Sequence, residues 1–292
     1  MSIDDPSLVI PEPVPQPFRW LSLTLATGMI SLTAYLAASN GVRDFPVGPG
    51  LTTDDTIRQK VNHYALGERP RLAVLGSSLA DRLPERFFTL TPTRNLALPG
   101  GSPLTGMMLV ESLASTPGTI VVEINVLDRK PRPELIERYR SPALVRLREF
   151  KPLRTAVNAL LPLNANDARK LRAKPPHDYD TATLIRHSLV ALDRRAFEAP
   201  TREHATEIAR IADVLEARGS RVFFVQLPMD PALEQSRYFT RTKQIMQDAA
   251  ARPDRWLDLR VERGQLRWID GAHLDERSAL LVIEAIEQAV QH

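Results

Sequence analysis

The segment "RLAVLGSSLADRL", residues 71–83, sets Gly76, Ser77 and Ser78 directly after a short apolar run. Far downstream, "WIDGAHLDER" carries Asp270 and His273, three positions apart, just ahead of the last amphipathic stretch. A serine hydroxyl is a weak nucleophile unless a base takes its proton, and an imidazole base needs a carboxylate to hold its tautomer. Asp-x-x-His delivers both from one loop, and the chain contains that spacing once. Alone, Gly-Ser-Ser reads equally as the cap that opens a helix, since serine is a preferred N-cap. Asp270-Gly271 likewise reads as an ordinary turn. Nothing points to a phosphate cradle, because the Gly-Lys-Ser/Thr ending of a P-loop is missing.

Two further segments could complete such a site. "NLALPGGS" places Gly100 after a candidate strand, where a backbone N–H could meet an oxyanion. "VVEINVLDR" places Asn125 after another, where a carboxamide N–H could do the same. Rigid donors of this kind are each worth about 10²–10³ in rate. Asp128, Arg129 and Asp230 also lie near strand ends, where they could shape a pocket, and no chemistry is assigned to them.

These residues need a scaffold that brings strand ends together. Apolar runs at 72–76, 94–100, 118–126, 220–228 and 256–260 alternate with helical patterns at 103–115, 133–218, 231–252 and 276–291. That alternation predicts an α/β fold, a three-layer α/β/α arrangement with a doubly wound, mostly parallel five-stranded sheet. Sites in such sheets lie beyond the carboxyl ends of the strands. The interval 127–219 is too long for one crossover, and it reads as a helical insertion capping that end of the sheet.

Residues 1–17 form a Pro-rich tail, and Trp20 to Ser39 is free of charge. Twenty helical residues span roughly 30 Å, the thickness of a bilayer core. A transmembrane anchor over 18–39 is therefore expected, with a buried core helix or a cleaved leader as rivals. A connector over 40–70 and an α/β domain over 71–292 follow.

The 292 residues carry a net charge of only +3, so no nucleic-acid partner is expected. Between Arg129 and Lys174, however, 13 Lys and Arg stand against 4 acids, a local charge of +9. That stretch is either a solvated face or a docking surface for lipid, an acidic polymer or a partner. The chain has no cysteine, which excludes thiol catalysis, disulfides and thiolate metal sites. His63, His177, His187, His204 and His292 show no ligand spacing, and neither metal nor cofactor is expected.

With Gly76-Ser77-Ser78-Leu79, Gly100, Asn125 and Asp270-x-x-His273 in this order, the chain resembles the SGNH (GDSL-like) hydrolases over residues 70–130 and 220–292. Three positions depart from the family pattern. Ser77 stands for aspartate, Glu123 for the glycine of the third block, and Val126 for the aspartate after its asparagine. Gly-Ser-Ser is similar to the variant in membrane-anchored members that acylate cell-envelope polymers. The resemblance implies Ser78 as nucleophile, His273 as base, Asp270 as its orienter, and Ser78, Gly100 and Asn125 as oxyanion donors. It implies a membrane-anchored serine esterase or O-acyltransferase, most simply an O-acetyl one, acting on an exported or envelope polysaccharide. It further implies a bacterial inner-membrane location with the catalytic body in the periplasm, beside a multi-pass acyltransferase or polysaccharide synthase. The competing expectation is a non-catalytic subunit of a polysaccharide synthesis or export complex that keeps the fold as a scaffold.

Overall fold

A computed structural model describes residues 17–41, 52–113, 115–139 and 166–291. The chain divides into two compact units, 1–43 and 44–292. The first unit contains one helix, α1 (Pro17–Gly41). Among the described residues no helix is long and apolar enough to cross a membrane. The span expected over 18–39 falls on α1.

The second unit is α/β. Its elements are α2 (Thr53–Leu66), β1 (Leu72–Leu75), α3 (Ser78–Asp81), β2 (Thr93–Asn95), α4 (Pro103–Ser112), β3 (Thr119–Glu123) and α5 (Pro133–Tyr139), then α6 (Asn166–Ala173), α7 (Ala182–Asp193), α8 (Glu198–Ala217), β4 (Arg221–Val225), α9 (Pro231–Glu234), α10 (Arg237–Ala249) and α11 (Glu276–Gln291). The sheet is parallel throughout, in the order β2-β1-β3-β4. β1 and β3 are buried at every position, as expected of central strands covered on both faces.

Strand alternation divides the core in two. Ala73, Leu75, Ile120, Val122, Val222 and Phe224 face one layer, packed against Ile57 and Val61 of α2, Met107 of α4 and Ile208 and Ile211 of α8. Leu72, Val74, Val121 and Val225 face the other, covered chiefly by Leu280, Ile283 and Ile286 of α11. The chain leaves β1 toward β2 and returns across it to β3, so the direction of winding reverses between β1 and β3. Strand-end loops part at such a switch point and leave a crevice.

Among the described residues four strands form where five were expected. Residues 256–260 run beside β4 but make a single bridge, Phe224 to Trp256, with Leu257 N–H donating to Phe224 O at 3.0 Å. Proline supplies no N–H to a ladder, and Pro228 lies on the same edge of the chain two residues past Gln226. Its carbonyl accepts instead from Trp268 Nε1 at 2.9 Å.

Two boundaries also move. The expected connector 40–70 includes α2, whose Ile57, Val61 and Tyr64 are core residues, so this helix belongs to the domain. The expected insertion 127–219 is narrower, because α8 packs on the sheet as the crossover into β4 and α5 buries Leu135, Ile136 and Tyr139. Much of the basic stretch lies outside the described residues. Of its described members, Arg132 pairs with Asp54 at 2.8 Å and Arg172 with Glu284.

Candidate active site

At the end of β1 the backbone turns through Gly76. A Cβ built there would lie 2.6 Å from Ala80 Cβ and 2.8 Å from Glu123 Cβ, closer than side chains pack. Only glycine lets β3 approach the turn this closely. Ser77 is fully buried and is the N-cap of α3, its hydroxyl accepting from Leu79 N–H at 3.3 Å. Ser78 begins α3 and is half-buried. The two serines therefore divide the alternatives left open by the sequence, one as cap and the other with its hydroxyl free of the helix.

Ser78 Oγ lies 3.0 Å from His273 Nε2, and His273 Nδ1 lies 2.6 Å from Asp270 Oδ2. A carboxylate facing Nδ1 fixes the proton there, which leaves Nε2 as the acceptor for the serine O–H. The loop that holds this pair is itself pinned. Trp268 bridges Leu274 antiparallel, and Ile269 N–H donates to His273 O at 2.9 Å. Asp230 N–H ties Gly271 O to the chain beyond β4 at 2.8 Å. Asp270 Oδ1 accepts from the N–H groups of Ala272 at 3.0 Å and His273 at 2.7 Å. One carboxylate oxygen shapes the loop and the other orients the ring. Burial works to raise the Asp270 carboxyl, but the bonds from the His273 ring and the two backbone N–H groups, with the imidazole charge, outweigh it and bring it down to about 2.

Glu123, at the end of β3, joins the two sides of the crevice. It is buried, and its oxygens accept from Ser77 N–H at 2.7 Å and Asn125 N–H at 2.6 Å. Burial pushes its carboxyl up against the pull of those bonds. From the other side, Lys60 of α2 pairs with Asp81 of α3 and donates to Ala97 O at 3.1 Å.

The expected oxyanion donors divide. Ser78 N–H and Gly100 N–H donate to no acceptor among the described residues. Gly100 has φ +68°, left-handed backbone that suits glycine, in a turn closed by Gly101 N–H donating to Leu98 O at 2.8 Å. Asn125 is fully buried and pairs with Leu227 as a peptide group would: Nδ2 donates to Leu227 O at 2.9 Å and Oδ1 accepts from Leu227 N–H at 2.8 Å. It prolongs the β3–β4 ladder past the last strand residue. A carboxamide has two N–H bonds, so one remains.

A pocket of about 210 Å³ opens at Ser78 and His273, walled by Leu79, Val126, Leu233 and Phe239 and roofed by Ser188, Ala191 and Leu192 of α7. The helix seats against the acid–base loop through Gly271, where a Cβ would lie 2.5 Å from Ile185 Cγ1. A second cleft, lined by Arg71, Thr119 and Arg221 at the strand beginnings, carries no acid or histidine. Among the described residues no group of three or more His, Cys, Asp and Glu could hold a metal.

No family model, curated protein or solved structure matches this chain.

Sequence reasoning passes over one contributor. Glu123 was noted only as a departure from a pattern, although a glutamate inside "TIVVEINV" is itself a signal, because a buried carboxylate requires donors. Arg129, which the sequence places near a strand end where it could shape a pocket, lines the pocket wall.

Proposed function

We propose that the chain is a serine hydrolase or O-acyltransferase of the SGNH type that works through an acyl-serine intermediate. The observation that carries this reading is the unbroken relay from Asp270 through His273 to Ser78, assembled from opposite ends of the chain at the switch point of the sheet. Ser78 Oγ attacks the ester carbonyl carbon while its proton passes to His273 Nε2. Collapse of the tetrahedral intermediate breaks the ester C–O bond, and the leaving alkoxide takes the proton from the imidazolium. A water or a second hydroxyl then gives its proton to His273 and attacks the acyl-serine, and collapse breaks the acyl–Oγ bond as Ser78 Oγ takes the proton back from His273. Water makes the reaction hydrolysis and a sugar hydroxyl makes it acyl transfer. Ser78 N–H, Gly100 N–H and the second Asn125 N–H supply the oxyanion donors. Asp270 stays ionised throughout the neutral range and stabilises the imidazolium.

The pocket is smaller than the ~300–1,000 Å³ usual for drug-sized ligands, which favours a short acyl group such as acetyl. A membrane attachment through α1, with the body in the periplasm, suits a substrate exported as polysaccharide and an acyl supply from a multi-pass partner. Trp20, Leu21, Leu23, Leu25, Met29, Ile30 and Leu32 are exposed on all sides of α1, and a helix apolar all round calls for lipid or a protein partner. Its Thr24 and Thr27 hydroxyls donate to carbonyls one turn back, at 2.9 and 2.8 Å, and so bring no unsatisfied group into lipid.

Labelling with a fluorophosphonate probe, together with 4-nitrophenyl acetate turnover, tests the reading. Wild type should label and turn over, and Ser78→Ala should do neither. Labelling that persists in Ser78→Ala refutes the nucleophile, and an inert wild type favours a scaffold role.

A further inference from the structure

Among the described residues the candidate pocket holds one guanidinium, that of Arg129, with no ion-pair partner. Arg129 lines the same wall as Ser78 and His273, and its Nη1 is shut off from solvent without a hydrogen-bond partner. Among the described residues Arg129 makes no ion pair and stacks on no aromatic ring. A buried donor on a charged group is costly to leave unmade, and such groups in native proteins have a reason.

The neighbouring carboxylates take their hydrogen bonds elsewhere, although the buried Glu123 lies near enough to feel the Arg129 charge. Glu123 accepts from the Ser77 and Asn125 N–H groups. Asp128 pairs with Arg195 and accepts from Tyr238 Oη at 2.6 Å. Asp270 holds His273, and Glu234 accepts from Met229 N–H at 2.8 Å and from Arg263 at 2.6 Å. Arg195 also lines the pocket, but Asp128 compensates it and its guanidinium lies 5.4 Å from the Tyr238 ring centre. Arg129 is therefore the guanidinium left for a ligand.

Building on the acyl-serine reading, we infer that Arg129 forms an anion subsite and that the substrate carries a carboxylate or phosphate beside its ester. Planar guanidinium donors match those oxygens in geometry as well as charge. The anion can belong to the acyl group or to the alcohol that bears it, and matched substrates separate the two.

For the alcohol side the pair is 4-acetoxybenzoate and its neutral methyl ester. For the acyl side it is mono-4-nitrophenyl succinate and 4-nitrophenyl butyrate. In wild type one pair should favour its anionic member in kcat/KM by about 10- to 100-fold, the worth of a charge-assisted hydrogen bond. Arg129→Gln should bring that ratio to near one, and Arg129→Lys should leave it in between. Binding is read separately, by calorimetric titration of the Ser78→Ala protein with glucuronate and with glucose. Glucuronate should bind at least tenfold tighter, and Arg129→Gln added to Ser78→Ala should abolish the difference. Arg129-dependent discrimination in either measurement supports the subsite, and its absence from both overturns it. Turnover without such discrimination removes the subsite and leaves the acyl-serine reading intact. Discrimination in binding without turnover by wild type does the reverse.

Discussion

Replacing Asp270 by asparagine tests the relay with almost no change of shape. Asp270 Oδ1 accepts from two backbone N–H groups, at 3.0 and 2.7 Å, so the amide oxygen of an asparagine must stay on that side. Its NH₂ is then forced toward His273 Nδ1, 2.6 Å from the present Oδ2. A donor facing Nδ1 requires the imidazole proton to sit on Nε2, which then presents a hydrogen to Ser78 Oγ and can no longer accept one. The equivalent exchange in a serine-protease triad lowers kcat by about 10⁴ through this wrong tautomer, and about 10⁴ corresponds to roughly 5.5 kcal/mol of barrier. A loss of that size is expected here in 4-nitrophenyl acetate turnover, with circular dichroism unchanged because the loop keeps its two backbone bonds. Nitrogen-15 NMR of His273 should show the proton moved from Nδ1 to Nε2. A folded Asp270→Asn protein within tenfold of wild type would refute the relay.

The pH dependence follows from the same carboxylate. Its folded value of about 2 lies below the ordinary 3.8, so its contribution is present above pH 3.8 and is lost as pH falls toward 2. With the side chain 36% exposed, solvent screening reduces that contribution to about 1 kcal/mol. Acid-unfolding curves of wild type and Asp270→Asn should converge across that window, and a gap that widens instead contradicts the assignment. Gly76→Ala should cost about 1–3 kcal/mol or more in urea unfolding, since the new methyl overlaps Ala80 and Glu123. Asn125→Leu leaves the Leu227 N–H and C=O unpaired and should destabilise by about 2–5 kcal/mol, and turnover should fall with it. A neutral result would mean that the ladder does not need the carboxamide. Gly271→Ala combines φ +88° with a clash on Ile185, so proteolysis should cut α7 faster than in wild type.

Much of this architecture is written locally. Short, mostly apolar runs announced β1, β3 and β4, because a strand covered on both faces has little polar side to show. Asp270 and His273 were legible as an Asp-x-x-His spacing, whereas the choice of Ser78 over Ser77 came from the resemblance, and the structure brings the three side chains together. The fifth strand was not legible, because residues 256–260 have strand composition but β4 ends at Val225 and offers them a single bridge, at Phe224. Whether a run pairs depends on the hydrogen bonds that its neighbour offers. Asn125 was singled out from its place in the chain, yet its tie to Leu227 depends on how far β4 continues past Val225, a tertiary fact. The length of the expected insertion was misjudged because α8 has a helix's periodicity whether it caps a site or crosses a sheet.

Glu123 bears on how such chains are recognised. The pattern that this sequence resembles would hang an acid from the serine turn and leave the third strand bare, whereas here the turn carries Ser77 and the strand carries the acid. Here the Glu123 carboxylate holds the Ser77 N–H at 2.7 Å, and Gly76 leaves the room for it. Sequences that open with Gly-Ser-Ser should then keep a glutamate at the matching rung of the third strand. A hybrid that inherits one without the other should lose the joint between the serine turn and the sheet.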